Sequence, residues 1–474
     1  MSGDSAALPT AERRPETMLA VYLLLAGAAV GLFLLICEWG NGLAGGVASS
    51  SGAAATQAVQ VPTAHVWPHF LGGLIAVIVL ARLLGFAMHC LGQPRVIGEV
   101  LAGIALGPSL LGRLSPETVT FLFPTSTLPT FHAFAQVGII LYMFLVGLHL
   151  NAAVLRSRAH ATVMISHASI AAPFVSGACL ALWLFQDFAP AGISFTSFAL
   201  FFGLAMAITA FPVLARILTD RGMERSELGV IALSCAAADD VTAWCLLAIV
   251  MGVAQTNLIS ALTTIGFALA YVAAMIWLVG PLLRRWFVKE GESNPSGDAI
   301  AAVLVAVLAS ALVTQQIGIH ALFGAFMLGA IIPHESKLAR AFQGRLEDVV
   351  TILLMPTFFA YTGMRTQIGL LAEPADWIVC GVIILVATAG KLGGSYLAAR
   401  FTGLDWRTSA SLGILMNTRG LMELIVLNIG LDLGIISPTL FAMMVLMALA
   451  TTIATTPVLQ WLSPSHSLTS ATVA

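Results

Sequence analysis

The chain has 474 residues, of which 59% are hydrophobic and only 9% are charged, and its mean hydropathy is +0.96. Soluble domains carry about 25% charged residues, so this composition excludes a soluble globular protein and indicates a protein of the lipid bilayer. The net charge of −2 and the lack of a basic tract give no sign of nucleic-acid binding. The six cysteines show no CxxC spacing and are interpreted as small apolar helix residues.

Apolar runs long enough to cross a hydrocarbon core about 30 Å thick follow one another along most of the chain. No alternating strand pattern appears, so the sequence predicts an all-α polytopic membrane protein rather than a β-barrel. We expect about thirteen or fourteen transmembrane helices, each of the usual spanning length. The candidate spans are 18–37, 66–88, 95–112, 131–150, 160–186, 194–219, 226–253, 257–283, 298–315, 319–334, 346–366, 374–400, 405–430 and 437–462.

Three regions are expected along the chain. Residues 1–65 comprise a cytoplasmic tail, an extra N-terminal helix and an external linker rich in Gly, Ala, Ser and Thr. Residues 66–462 form the transmembrane domain, and residues 463–474 form a short cytoplasmic tail.

In the transmembrane domain, Gly103 and Gly107 lie four residues apart, which predicts a close approach to another helix.

The distribution of positive charge predicts the orientation in the membrane. With the N-terminus inside and fourteen alternating spans, seventeen of the 21 Lys and Arg residues fall at cytoplasmic ends. Only Arg113 and Arg365 fall outside, and Lys391 and Arg419 lie within spans. Both termini are therefore expected in the cytoplasm.

Two groups of three spans share the same rhythm of lengths and gaps, at an offset of about 211 residues. The groups are 160–186, 194–219 and 226–253, and 374–400, 405–430 and 437–462. The offset lays Thr209 over Gly420 and Pro212 over Glu423, so both middle helices are polar or broken near their centres. In the fourteen-span topology the groups enter the membrane with opposite orientation. Inverted repeats with paired discontinuous helices are typical of secondary transporters.

Two adjacent carboxylates, Asp239 and Asp240, lie within the otherwise apolar span 226–253. A charged side chain at bilayer depth costs at least about 3 kcal/mol, which makes this pair a functional hypothesis. Successive helix residues diverge by about 100°, so the two side chains face different neighbours. We expect Lys391 to pair with Asp239 and Asp240 to remain exchangeable, binding either a proton or a dehydrated alkali cation.

The two broken helices supply further candidates. Pro212 frees a backbone carbonyl, and this oxygen together with the Thr209 hydroxyl offers the hard ligands that an alkali cation prefers; an ordinary proline kink is the alternative. The second break carries Asn417, Thr418, Arg419 and Glu423. Arg419 is expected to neutralise the half-helix ends where the breaks cross, and the alternative is a structural i,i+4 ion pair with Glu423.

Several stretches resemble the second family of monovalent cation:proton antiporters, which includes bacterial Na⁺/H⁺ and K⁺/H⁺ exchangers and plant cation/proton exchangers. They are QPRVIGEVLAGIALGPSLLG, LYMFLVGLHLN, ITAFPVLARIL, AADDVTAW, HALFGAFMLGAIIP and MNTRGLMELIVLNIG. The resemblance covers about residues 66–462. It implies a homodimer in which core helices, at about 160–253 and 374–462, move against a dimerisation scaffold.

The same resemblance implies that Asp240 is the ion-binding acid and that Asp239 pairs with Lys391. Aspartate at both positions, rather than Asn-Asp or Gln-Asp, implies electrogenic exchange. One departure from the family pattern is His149, which stands where the LVGLELD-like motif usually has an acid.

The function expected from these features is exchange of Na⁺ or K⁺ for H⁺ across the cytoplasmic membrane. No P-loop, HExxH or GxSxG motif is present, so neither an enzymatic activity nor a cofactor is expected. Two alternatives remain open at this point: a cation channel or leak, and proton-coupled export of an organic molecule complexed with a cation.

Overall fold

The computed structural model describes residues 15–43, 66–149, 159–223, 226–254, 258–290, 297–333 and 337–462. Most of the expected N-terminal tail and external linker lies outside the described residues, as does the expected tail at 463–474. The backbone of His149 is described, but its side chain is not.

The described chain is helical at each of the fourteen expected spans. The helices are α1 (Pro15–Gly40), α2 (Val66–Cys90), α3 (Arg95–Leu106), α4 (Leu111–Leu114), α5 (Pro116–Leu122), α6 (Leu128–His149), α7 (Ala159–Phe188), α8 (Phe195–Ala207), α9 (Phe211–Asp220), α10 (Glu227–Ala254), α11 (Leu258–Ala274), α12 (Gly280–Glu290), α13 (Gly297–Ile317), α14 (Ala321–Ile331), α15 (Lys337–Val349), α16 (Met355–Arg365), α17 (Pro374–Phe401), α18 (Trp406–Met416), α19 (Leu421–Asp432) and α20 (Pro438–Leu462). Short π-helical turns, Met275–Val279 and Val350–Leu354, join α11 to α12 and α15 to α16.

Ten of the described helical stretches are long and apolar enough to cross a membrane, and the bent pair α18–α19 brings the number to eleven. The predicted all-α, multi-pass architecture is thus confirmed. Fewer stretches qualify than the fourteen predicted: two predicted spans are short or polar in the structure, and the side chains of the span expected at 18–37 are described mainly from residue 27 onward. The 11 residues of α14 extend about 16 Å, between Gly318, whose φ is 95°, and Pro333. The span expected at 346–366 begins within α15, a helix rich in charged residues, and continues into α16.

The two repeated groups correspond to α7, α8–α9 and α10, and to α17, α18–α19 and α20. Helices α8 and α18 begin 211 residues apart, at Phe195 and Trp406, and so do α10 and α20, at Glu227 and Pro438. Helix α7 packs along α17, so the opening helices of the two groups lie side by side, while α10 contacts α18. The group rhythm seen in the sequence therefore corresponds to two sets of helices that pack on each other.

Both middle helices are broken, and the breaks contact each other. Pro212 occupies the first turn of α9, where a missing N–H is harmless, whereas a continuous helix would bring its ring against the carbonyl of residue 208. The chain is accordingly non-helical from 208 to 210. The second break runs from 417 to 420, and the N–H of Ala210 donates to the carbonyl of Thr418 at 2.9 Å. The expected pair of discontinuous helices is present, and their breaks meet.

Helices α2, α3, α6, α14 and α16 pack together outside the repeated groups, and α16 reaches across to α19. The Arg365 guanidinium donates to Asn428 Oδ1 at 3.0 Å and to Asp432 Oδ1 at 2.7 Å. The Asn428 amide in turn donates to Thr362 Oγ1 at 2.8 Å. These hydrogen bonds, which we call the α16–α19 contact, connect the helices outside the repeated groups to a half-helix of the second group.

Glycines let α3 approach α16 closely, as their spacing predicts. A Cβ on Gly103 would lie 2.4 Å from the carbonyl oxygen of Ala360, and one on Gly107 would lie 2.8 Å from the Cα of Met364. Backbone atoms cannot yield as a flexible side chain can, so both positions require a residue without Cβ.

This packing predicts that Gly103→Ala destabilises the protein by about 1–3 kcal/mol, because the added methyl overpacks a backbone contact. Gly72→Ala is the matched control, since a Cβ there would meet nothing within 4 Å and alanine favours the helix. Thermal unfolding of the detergent-purified variants measures the difference. A Gly103→Ala protein that unfolds at or above the temperature of the Gly72→Ala protein would contradict the prediction.

Candidate functional site

Asp239 lies at the centre of the site, and its carboxylate is fully hydrogen bonded. Both it and Asp240 are buried, with 1% exposed surface each. Ser166 donates to Asp239 Oδ1 at 2.6 Å, while Ser169 and Thr209 each donate to Oδ2 at 2.8 Å. Helix α7 presents both serines on one face because they are three residues apart, and the first break presents Thr209. Such hydroxyl donors stabilise the charged form of a buried carboxylate.

Lys391 completes the set of donors to Asp239. Its Nζ lies 3.2 Å from Asp239 Oδ2 and also donates to the carbonyl of Ala207, at the end of α8. The lysine side chain has no exposed surface. The structure thus brings together the two residues whose pairing was expected. With four donors on one carboxylate, the pair satisfies the condition under which a buried ion pair is tolerated.

Asp240, the next residue of α10, has the opposite environment. Neither of its carboxylate oxygens has a hydrogen-bond partner, although both are buried. The charged form of a buried carboxylate without a partner is strongly disfavoured, because no donor offsets the free energy lost on desolvation. A bound proton or cation can supply the missing compensation. Adjacent acids in one helix thus have distinct environments: Asp239 is surrounded by hydrogen-bond donors, and Asp240 has open coordination.

Arg419 lies at the crossing of the broken helices and is fully buried. Its guanidinium donates to the carbonyls of Ala205 at 3.1 Å and Met206 at 2.6 Å. Together with the bond from Lys391 to Ala207, two cations cover the last three carbonyls of α8. The carboxyl end of a helix carries a partial negative charge, and this arrangement offsets it with two buried cations.

The alternative expected for Arg419, an ion pair with Glu423, is also present. Arg419 Nη1 lies 3.3 Å from Glu423 Oε2, within ion-pair distance, but the atoms lack hydrogen-bond geometry. Both oxygens of Glu423 remain without a hydrogen bond. Arg419 makes its hydrogen bonds to the carbonyls of α8, and its contact with Glu423 is an ion pair only. The arginine therefore connects the two breaks and does not act only within its own helix.

The remaining predicted residues lie around the same crossing. Thr209 also contacts the carbonyl of Met416 at 3.2 Å, and Pro212 begins α9. Asn417 Oδ1 and Thr418 Oγ1 are buried without hydrogen-bond partners, so each retains a free oxygen. The structure therefore places every predicted site residue at or beside the two breaks, and it leaves their roles in ion binding as a proposal.

Sequence reasoning missed Ser166 and Ser169. The available signal was weak: two hydroxyl residues at i and i+3 in an apolar span that opens the first repeated group. Hydroxyl residues are common in transmembrane helices because they bond to their own backbone, so their type alone does not indicate a site.

A family model described as sodium/hydrogen exchanger, transmembrane, matches residues 74–462. The chain belongs to this family. The match includes both repeated groups and every residue of the site described above.

Several relatives have similar sequences. The Na⁺/H⁺ antiporter NhaS4 of Synechocystis is 44% identical over 398 residues, which cover 83% of this chain and 97% of NhaS4. Cation/H⁺ antiporter 17 of Arabidopsis thaliana is 39% identical over 86% of this chain, and K⁺/H⁺ antiporter 1 of Saccharomyces cerevisiae is 33% identical over 83%. The chain spans 50% and 46% of the lengths of these two eukaryotic relatives.

The fold is similar to a solved structure of the sodium proton antiporter MjNhaP1 from Methanocaldococcus jannaschii. The TM-score is 0.62, and the similarity covers 85% of this chain and 99% of that one at 14% sequence identity. At so low an identity the likeness concerns the fold alone.

Arg419→Lys is predicted to destabilise the protein by about 1.5–3 kcal/mol, because a lysine cannot bond two carbonyls in a fixed fork. Arg407→Lys is the matched control: it makes the same exchange on an exposed side chain at the start of α18. Thermal unfolding of both purified variants gives the comparison. Equal unfolding temperatures for the two variants would show that the paired hydrogen bonds from the Arg419 guanidinium to α8 do not contribute to stability.

Proposed function

We propose that this protein is a secondary active transporter that exchanges Na⁺ or K⁺ for protons. The observation that carries the proposal is the buried carboxylate of Asp240, which has no partner and therefore needs a proton or a cation. Membership of the sodium/hydrogen exchanger family and relatives named as Na⁺/H⁺ and K⁺/H⁺ antiporters support the same function.

Competition at Asp240 provides the coupling. A proton and a dehydrated alkali cation each neutralise the carboxylate, and both cannot do so at once. Release of one on either side of the membrane therefore permits binding of the other. Oxygens that lack hydrogen-bond partners in the second break, on Asn417 and Thr418, are candidate further ligands, and the hydroxyl of Thr209 is another. The cation is cargo in this scheme, and no resident metal or cofactor is needed.

The repeated groups are proposed to form the moving core, at about 160–253 and 374–462, and the remaining helices a dimerisation scaffold. Core movement against the scaffold would expose Asp240 to the two sides in turn. The charge distribution of the sequence supports cytoplasmic termini in a cell membrane.

The channel and organic-export alternatives are not favoured, because the relatives are named as antiporters.

Transport is proposed to be electrogenic, because a second titratable carboxylate, Asp239, stands beside the exchangeable one. Two protons against one cation move one net charge per cycle, which is worth about 2.3 kcal/mol per 100 mV.

Asp240→Asn is predicted to abolish cation/proton exchange, because an amide cannot bind an exchangeable proton or provide a charge for the cation. Proteoliposomes with an internal pH dye report the collapse of a pH gradient after addition of Na⁺, K⁺ or Li⁺. Asp187→Asn is the matched control, since that acid is exposed at the end of α7. If Asp240→Asn exchanges as fast as Asp187→Asn, the assignment of Asp240 is wrong.

A second experiment tests the charge balance. On a solid-supported membrane, a jump in Na⁺ or K⁺ concentration is predicted to give a current opposite in sign to the cation flux. The reason is that two protons travel against each cation. A response of the pH dye without any current would contradict electrogenic exchange and leave the competition at Asp240 intact.

A further inference from the structure

The backbone of the second break is bonded to a side chain of another helix. The hydroxyl of Thr452, in the middle of α20, donates to the carbonyl of Arg419 at 2.7 Å and accepts from the N–H of Arg419 at 3.0 Å. Thr452 is 2% exposed. A hydroxyl has a single proton to donate, so this pair of bonds uses its donor and one of its acceptor sites on one residue.

The neighbouring threonines of α20 behave differently. Thr451 bonds to the carbonyls of Met447 and Ala448, and Thr455 bonds to that of Thr451. Those bonds stay within the helix, as is usual for threonine in an apolar helix. Thr452 is thus distinguished by a bond to another element, and Thr455 offers a buried threonine on the same helix for comparison.

A broken helix at bilayer depth needs such partners. Non-helical backbone is tolerated there only where protein or water satisfies its polar groups, and each unsatisfied group costs several kcal/mol. In the first break, the N–H of Ala210 donates to the carbonyl of Thr418, and the side chain of Thr209 donates to Asp239 on α10. The residue 211 positions before Thr452 is Val241, which has no hydroxyl. The two breaks are therefore supported differently: Thr452 of α20 bonds to the backbone of the second break, whereas α10 bonds to a side chain of the first.

The bonds of Thr452 also fix where the Arg419 side chain begins. From that point the guanidinium reaches the carbonyls of Ala205 and Met206. The next carbonyl of α8, that of Ala207, accepts from Lys391, which pairs with Asp239. A continuous series of bonds thus leads from Thr452 to the charged pair beside Asp240.

We propose that Thr452 is a positioning residue for cation/proton exchange: its hydroxyl holds the second break so that Arg419 and Lys391 remain in place around α8. The proposal rests on the proposed function of the Asp239–Asp240 site. Thr452 does not contact the cation in this scheme. Its loss moves positive charge away from the site, which favours the protonated carboxylate.

Three variants test the proposal. Thr452→Val removes the hydroxyl at nearly constant shape, Thr452→Ser retains it, and Thr455→Val makes the same exchange where only a bond within α20 is lost. Exchange per folded transporter is measured in proteoliposomes across a pH series and a cation series. We expect about a tenfold loss of rate in Thr452→Val, as for a lost bond to a buried group. We also expect a pH profile displaced upward and a changed cation KM, because the same loss of positive charge acts on the proton and on the competing cation. Thr452→Ser and Thr455→Val should resemble wild type.

A wild-type cation KM and pH profile in Thr452→Val would overturn the proposal, and so would an equal loss in Thr455→Val. If Thr452→Val does not yield folded protein, Thr452→Cys takes its place, because a thiol is a weaker hydrogen-bonding group than a hydroxyl. The proposal then requires Thr452→Cys to fall below Thr452→Ser in rate.

Hydrogen–deuterium exchange separates this proposal from the proposed function. In the peptide covering 417–421, Thr452→Val should exchange faster than Thr455→Val, whatever ion the protein carries. Faster exchange without any alkali-cation transport in wild type would refute the proposed function alone. Unchanged exchange at 417–421 beside normal wild-type transport would refute the role of Thr452 alone.

Discussion

Backbone hydrogen bonding inside the bilayer is the constraint on which this structure depends. Two interrupted helices leave peptide groups without helical partners at a depth where water cannot replace them. The fold meets this demand by crossing the interruptions, so that Ala210 bonds to Thr418 and the guanidinium of Arg419 bonds to the end of α8. Because the same groups satisfy the backbone and surround the acids, the site cannot be separated from the architecture.

The electrostatic balance follows from that crossing. Lys391 and Arg419 bring two positive charges to the end of α8. Asp239 forms an ion pair with Lys391, and its carboxylate also accepts hydrogen bonds from hydroxyl groups. Glu423 lies near Arg419 without a hydrogen bond. In the proposed cycle the carboxylate of Asp240 is neutralised by either a proton or a cation. Low dielectric makes an uncompensated carboxylate costly, so one ligand must replace the other at this residue.

The sequence predicted the acid–lysine pair and the two interruptions because charged residues and prolines are rare within apolar spans. With one lysine inside a span, Asp239 and Lys391 had few other partners, and the repeat placed them near each other. The serines on α7 and Thr452 on α20 could not be predicted in the same way. Hydroxyl residues are frequent in apolar helices, and whether one bonds to its own helix or to another is decided by tertiary packing. Hydropathy also did not show that α14 is only 11 residues long, because its flanking residues are apolar too.

The α16–α19 contact has a consequence for the proposed movement of the repeated groups. Asp432 ends α19, so its carboxylate lies at the negative end of a helix dipole and depends on Arg365 for compensation. Any displacement of the second group against α16 deprives that acid of its partner, together with the bond between Asn428 and Thr362. In the proposed movement of the repeated groups these bonds break, so the α16–α19 contact favours the conformation described here, whichever ion Asp240 binds.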